Sequence, residues 1–92
     1  MRTIKYTAQF KRDYKREKKS NHKIFDRIFL NVVKLLAADK TMLQRHQDHA
    51  LTGDWKDHRD CHIRPDLVLI YRKPSPKVLE LVRLGSHSKL GL

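Results

Sequence analysis

Apolar residues fall into short groups separated by polar segments, and their spacing predicts the elements of the fold. Thr3–Tyr6 is short and β-branched or aromatic, which predicts a first strand. Thr7 is placed to cap a helix beginning at Ala8, with Phe10 and Tyr14 at i, i+4 on its inner face and a lysine- and arginine-rich outer face. Ser20-Asn21 predicts a break. Residues 24–38 then carry Ile24, Phe25, Ile28, Phe29, Val32, Val33, Leu35 and Leu36 as a wide stripe at helical spacing. Two helices joined by a short polar break predict an antiparallel hairpin.

Residues 39–54 are polar, with isolated Met42, Leu43 and Leu51, and read as a long loop with a helical turn near residues 42–45. Gly53-Asp54 marks a turn into a strand over residues 55–63. Alternation along that strand places His58, Asp60 and His62 on one face and Arg59, Cys61 and Ile63 on the other. Arg64-Pro65-Asp66 is a turn, residues 67–72 a buried strand, 73–77 a hairpin loop and 78–84 the last strand, closed by Gly85. The expected order is β-α-α-β-β-β. This is an α+β fold in one domain spanning 1–92, a small antiparallel sheet packed against an N-terminal two-helix hairpin, with the sheet's other face left for a ligand.

Charge changes the picture. The chain has 21 Lys and Arg against 10 Asp and Glu, a formal net charge of +11. Residues 1–23 carry +7, residues 24–54 are neutral and residues 55–92 carry +4. Positive charge gathered at the two ends points to a polyanionic partner. A merely basic, solvated surface is the bland alternative, and clustering argues against it. The single cysteine, Cys61, cannot form an internal disulfide and reads as a small buried filler. No signal-like or membrane-spanning run is present in the sequence, so a reduced cytoplasmic location without membrane contact is the expectation.

The six histidines carry the candidate chemistry. His22 and His46 read as solvated, and His58 is open. His49, His62 and His87 each sit at an element boundary or beside a turn, where active-site groups gather. No histidine pair has a spacing that pre-forms a metal site, and a strongly cationic chain opposes cation binding, so neither metal nor cofactor is expected. Acid–base cleavage of RNA fits better. A base takes the 2′-hydroxyl proton, an acid protonates the leaving 5′-oxygen, and cations offset phosphoryl charge. Histidine can serve as either acid or base near neutral pH. Asp66 can orient a histidine, and Lys56, Arg59 and Arg83 can hold phosphate.

The segments QDHALTGDWKDHRDCHIRPDLVLIY and VRLGSHSKL resemble the YafQ branch of the RelE/ParE toxin superfamily. The shared features are D-H-x-L-x-G-x-W-K, R-x-x-H-x-x-P-D, a strand ending in Ile-Tyr, and R-x-G-S/T-H near the C-terminus. YTAQFKRDYKR is similar to the opening helix of these toxins. The resemblance implies a toxin of a type II toxin–antitoxin pair, an endoribonuclease that cuts mRNA in the ribosomal A site without metal. A cognate antitoxin neutralises it, and operator DNA is met only through the antitoxin complex. Position by position, the family's catalytic set falls on His49, His62, Asp66 and His87, and its arginine on Arg83. His87 is the favoured acid and His49 the favoured base, with His62 and Asp66 binding and orienting. The family often has an aromatic residue shortly after the last histidine, where this chain has Gly91 between Leu90 and Leu92. The basic face bearing Lys11, Lys15 and Lys18 is a candidate ribosome-docking surface. Two readings from other classes compete: a ParE-like toxin that poisons a target such as DNA gyrase without cutting RNA, and a basic nucleic-acid-binding module. The histidine set, which the ParE branch generally lacks, argues for the nuclease.

Overall fold

The computed structural model describes residues 1–42 and 44–92, and of residues 20–24 and 45 the backbone alone. Elements follow in the order β1 (Thr3–Tyr6), α1 (Ala8–Ala37), a 3-10 turn (Gln44–His46), β2 (His49–Ala50), a second 3-10 turn (Gly53–Trp55), β3 (Arg59–Arg64), β4 (Leu67–Ser75), β5 (Val78–Gly85) and α2 (His87–Leu90). The five strands form one sheet in the order β1-β5-β4-β3-β2, with β1 parallel to β5 and the other pairs antiparallel. Among the described residues no helix is long and apolar enough to cross a membrane.

Helix α1 starts where the sequence predicts, because the Thr7 hydroxyl accepts from the Phe10 amide at 2.9 Å. Its hydrogen-bonding is helical throughout, yet its two arms lie side by side. The Phe10 and Phe29 rings are 5.9 Å apart, and the Tyr14 hydroxyl donates to Asp26 Oδ1 at 2.7 Å. A straight helix rises about 1.5 Å per residue, which would separate positions 10 and 29 by roughly 28 Å. The expected hairpin is therefore present as two packed arms of one assigned element. The expected break at Ser20-Asn21, the solvation of His22 and the place of Ile24 in the stripe fall on side chains outside those described, as does Leu43.

The arms bury Phe10, Phe25, Phe29, Val32, Val33 and Leu36 against one face of the sheet, where Cys61, Ile63, Leu69, Tyr71, Leu79 and Leu84 meet them. Val68 and Ile70, also buried, point to the other face and pack with Leu90 of α2, beside Leu51 and Trp55. Residues 67–71 are thus buried on both faces, which is why that stretch is continuously apolar.

Beyond Leu81, β5 outruns β1, and α1 side chains satisfy its open edge. Thr7 Oγ1 donates to Val82 O at 2.7 Å, the Leu84 amide donates to Asp13 Oδ2 at 3.0 Å, and Arg16 Nη2 donates to Leu84 O at 2.9 Å. The edge is thereby closed to pairing with another chain.

Three sequence expectations need correction. The strand expected over 55–63 begins only at Arg59, because Gly53–Trp55 winds into a 3-10 turn and Asp57 takes φ 69°, a left-handed conformation that no strand continues through. Residues 39–54 contain β2, whose two residues are too few to show a period. The loop expected over 73–77 is mostly strand. Pro74 sits where the β4–β5 register shifts, so its missing amide breaks no regular pair. The tail carries α2, capped by the Ser86 hydroxyl, which accepts from the Lys89 amide, and ended by Gly91 at φ 72°.

Candidate active site

The face away from α1 gathers titratable groups from four elements. On β3, alternation turns Asp60 and His62 to this face while Cys61 and Ile63 enter the main core. Asp66 stands in the β3–β4 turn, just beyond a register irregularity between His62 and Arg64. His87 opens α2, and His49 lies on β2 directly opposite Asp60 in the pairing register.

The side chains converge. His87 Nδ1 is 3.2 Å from Asp66 Oδ1, and the His62 and His87 rings are 5.1 Å apart, edge to face at 66°. The bond from His87 holds the exposed Asp66 carboxyl below its ordinary value. His49 Nδ1 is 2.8 Å from Gln47 O and 2.9 Å from Asp60 Oδ1. Its N–H is aligned with the carbonyl, so Asp60 Oδ1, on a side chain almost wholly out of solvent, has no hydrogen bond. Burial raises the Asp60 pKa, and the positive charge that His49, His62 and His87 can carry opposes the rise. The four residues expected to act together are therefore in one cluster. Asp60 completes it, and sequence reasoning assigned it no role although strand alternation had placed it beside His62. An open cleft of ≈ 800 Å³ runs along this face, lined by His49, Asp60, His87, Leu51, Trp55 and Leu90 among others.

The segment carrying His49 is tied down on both sides. His46 Nδ1 donates to the His62 carbonyl at 2.9 Å, on the edge of β3 left open past the short β2. Asp48 accepts from the Tyr71 hydroxyl at 2.5 Å and from Arg59 Nε at 3.3 Å. Between them Gln47 takes φ 47°. His46, expected as solvated, is 3% exposed.

The expected phosphate-holding cations lie differently. Arg59 is on the helix-side face, engaged with Asp48, because it alternates with Asp60; its expected place at the phosphate is corrected to a structural tie. Arg83 is bound through Nε at 2.7 Å and through Nη2 to Asp13, a buried carboxylate that also holds Arg16. Burial pushes Asp13 up, but the Arg83 and Leu84 hydrogen bonds and the two guanidinium charges outweigh it and leave the carboxyl below its ordinary value. Lys56 is exposed and follows Trp55. His58 lies outside the cluster, its Nδ1 3.0 Å from Lys56 O and its ring 5.4 Å from that of Trp55. Cys61 is fully buried and burial pushes its thiol up, so it is the inert filler expected. Lys11, Lys15 and Lys18 are exposed on the first arm of α1; Lys18 also pairs with Asp26 at 3.6 Å. Among the described residues no group of three or more His, Cys, Asp and Glu is set to hold a metal ion.

Comparison with known proteins gives the family. The family described as "Bacterial toxin of type II toxin-antitoxin system, YafQ" matches residues 2–91. The mRNA interferase toxin YafQ of Escherichia coli K12 is 35% identical over 89 residues, covering 97% of this chain and 95% of that protein. The crystal structure of the E. coli DinJ–YafQ complex superposes with a TM-score of 0.84 at 32% identity, covering 98% of each chain. A copper-bound mutant toxin from Helicobacter pylori superposes with a TM-score of 0.89 at 34% identity, covering 98% of this chain and 99% of that one.

Proposed function

This chain belongs to the YafQ family of bacterial type II toxin–antitoxin toxins, and from that premise we propose that it is an mRNA interferase, an endoribonuclease that cuts mRNA in the ribosomal A site. The observation that carries the reading is the convergence of His49, His62 and His87, with Asp60 and Asp66, on one open face.

Both outer imidazoles use Nδ1 on a neighbour, which leaves Nε2 of each to meet substrate. The neighbours differ. His87 Nδ1 is held by a carboxylate, Asp66, which turns its Nε2 to the leaving oxygen, and we take His87 as the acid. The Nδ1–H of His49 meets a neutral carbonyl, that of Gln47, which leaves the Nε2 lone pair for substrate, and we take His49 as the base. His49 Nε2 takes the 2′-hydroxyl proton while the 2′-oxygen attacks phosphorus. His87 Nε2–H protonates the 5′-oxygen as the P–O5′ bond breaks. The products are a 2′,3′-cyclic phosphate and a 5′-hydroxyl. His62, edge-on to His87, binds the phosphoryl oxygens, and Asp66 fixes the His87 ring. Lys56 and Arg83, outside the residues that line the cleft, add positive charge at longer range. Nothing in this scheme requires a metal.

Exposed Lys11, Lys15 and Lys18 form the face that docks on ribosomal RNA. A cognate antitoxin is the regulatory partner, as the E. coli relative's complex with DinJ suggests, and operator DNA is reached only through that complex.

The test is a translation extract programmed with a defined mRNA, its cut ends mapped. Toxin stripped with a chelator and repurified should cut as before. An mRNA carrying a 2′-deoxy sugar at the cut position should resist. Cleavage of the deoxy substrate, or activity restored only by added copper, would overturn the mechanism.

A further inference from the structure

The lining of the cleft is of two kinds. His49 and His87 supply imidazoles. Leu51, Trp55 and Leu90 supply apolar surface, and Trp55 is the only aromatic carbocycle among the described lining residues. Trp55 is half-buried, packed beside Val68 and Ile70 yet still lining open space. The carboxylate of Asp54, one residue before Trp55, also lines the cleft, and among the described residues no lysine or arginine does. Asp54 disfavours a phosphate beside Trp55, whereas an uncharged flat ring is not repelled. A nuclease that cuts one phosphodiester must also place the bases on either side of it. Leu90, Gly91 and Leu92 also line the cleft and carry no aromatic ring.

We propose that Trp55 is the stacking platform for the nucleobase next to the scissile phosphate. The proposal rests on the nuclease reading and assigns it a base subsite. The geometry follows from the Gly53–Trp55 turn. Gly53 takes φ 67°, and the Trp55 and Lys56 amides close back onto Thr52 and Gly53 carbonyls at 3.3 and 3.1 Å. The indole that closes this turn packs on the cluster of Val68 and Ile70 and lines the same cleft as His49 and His87. Aromatic stacking is tolerant of base identity, so the platform sets affinity and placement more than sequence choice.

The chain has one tryptophan, so its fluorescence reports on this residue alone. A trinucleotide with a 2′-deoxy sugar at the cut position is titrated to millimolar concentration. Binding is read from the imidazole proton resonances of His49 and His87, and stacking from tryptophan emission. The expected result is quenching that saturates together with the imidazole shifts. Trp55→Leu should weaken binding about tenfold, while Trp55→Phe recovers most of it with the imidazole shifts intact. Imidazole shifts without quenching would overturn the platform and leave the nuclease reading standing. If neither signal moves, both fall.

Discussion

His49 and Asp60 face each other across the β2–β3 pair, with the imidazole Nδ1 2.9 Å from a carboxyl oxygen buried from solvent and bonded to no hydrogen. A buried carboxyl held this way costs stability whenever it is ionised. Its folded pKa lies above 3.8, so its stabilising contribution is present at acid pH and is lost as pH rises through the raised value. Asp60→Asn should therefore raise stability at pH 7 by about 1 kcal/mol, a melting-point gain of roughly 4–8 °C for a domain of this size. The gain should vanish towards pH 4, and cleavage should fall about tenfold at the same time. Thermal melts at the two pH values check this. A less stable variant at pH 7 would contradict it.

Tyr71 and Asp48 tether the segment that bears His49. Burial first, then the Asp48 carboxylate, push the phenol pKa upward, so the hydroxyl stays a donor. Tyr71→Phe should cost about 1.5–3 kcal/mol, the worth of a hydrogen bond to a charged group. It should also lower the rate of cleavage more than substrate binding, because His49 loses its anchor. Denaturant unfolding and single-turnover kinetics on the same variant separate the two effects.

Asp13 joins the α1 hairpin to β5 through Arg83, Arg16 and the Leu84 amide. Its pKa is lowered in the fold, so it adds stability above pH 3.8 that is lost as pH falls. Asp13→Asn leaves Arg83 without its anion and Arg16 with Glu17 alone, and should cost about 3 kcal/mol at neutral pH. The penalty should shrink in acid. Urea unfolding at pH 7 and pH 3 measures the difference.

The basic arm of α1 yields a separate expectation. Charge reversal at Lys11, Lys15 and Lys18 should weaken ribosome binding and flatten its salt dependence by about three counterions, leaving thermal stability within about 0.5 kcal/mol. Sedimentation with ribosomes at two salt concentrations reads it out. Unchanged binding would show a merely solvated face.

What could be read in the chain and what could not divides along physical lines. The stripe of Phe25, Phe29, Val32, Val33 and Leu36 declares its period over about three turns, and burial follows it. Alternation sorted Asp60 and His62 from Cys61 and Ile63 correctly. His49, His62, Asp66 and His87 were brought together by the family motif, since nothing in their spacing measures distance through space. The buried state of His46 was illegible because its partner is a backbone carbonyl at the open edge of β3, which exists only once β2 stops short. The role of Arg59 was misread for a related reason. The same alternation that puts Asp60 in the cleft turns Arg59 away from it, towards Asp48. Likewise, Trp55 looked like a strand residue until the left-handed Asp57 showed where the strand begins.

The claim that three imidazoles act as one unit is tested most directly by single-turnover cleavage of ribosome-bound mRNA. Wild type is compared with His49→Ala, His87→Ala and the double variant. Each single substitution should slow cleavage by about 10²-fold or more, and the double variant should be little slower than either, because removing one member already disables the unit. A His87→Ala variant that cuts at the wild-type rate would contradict the account.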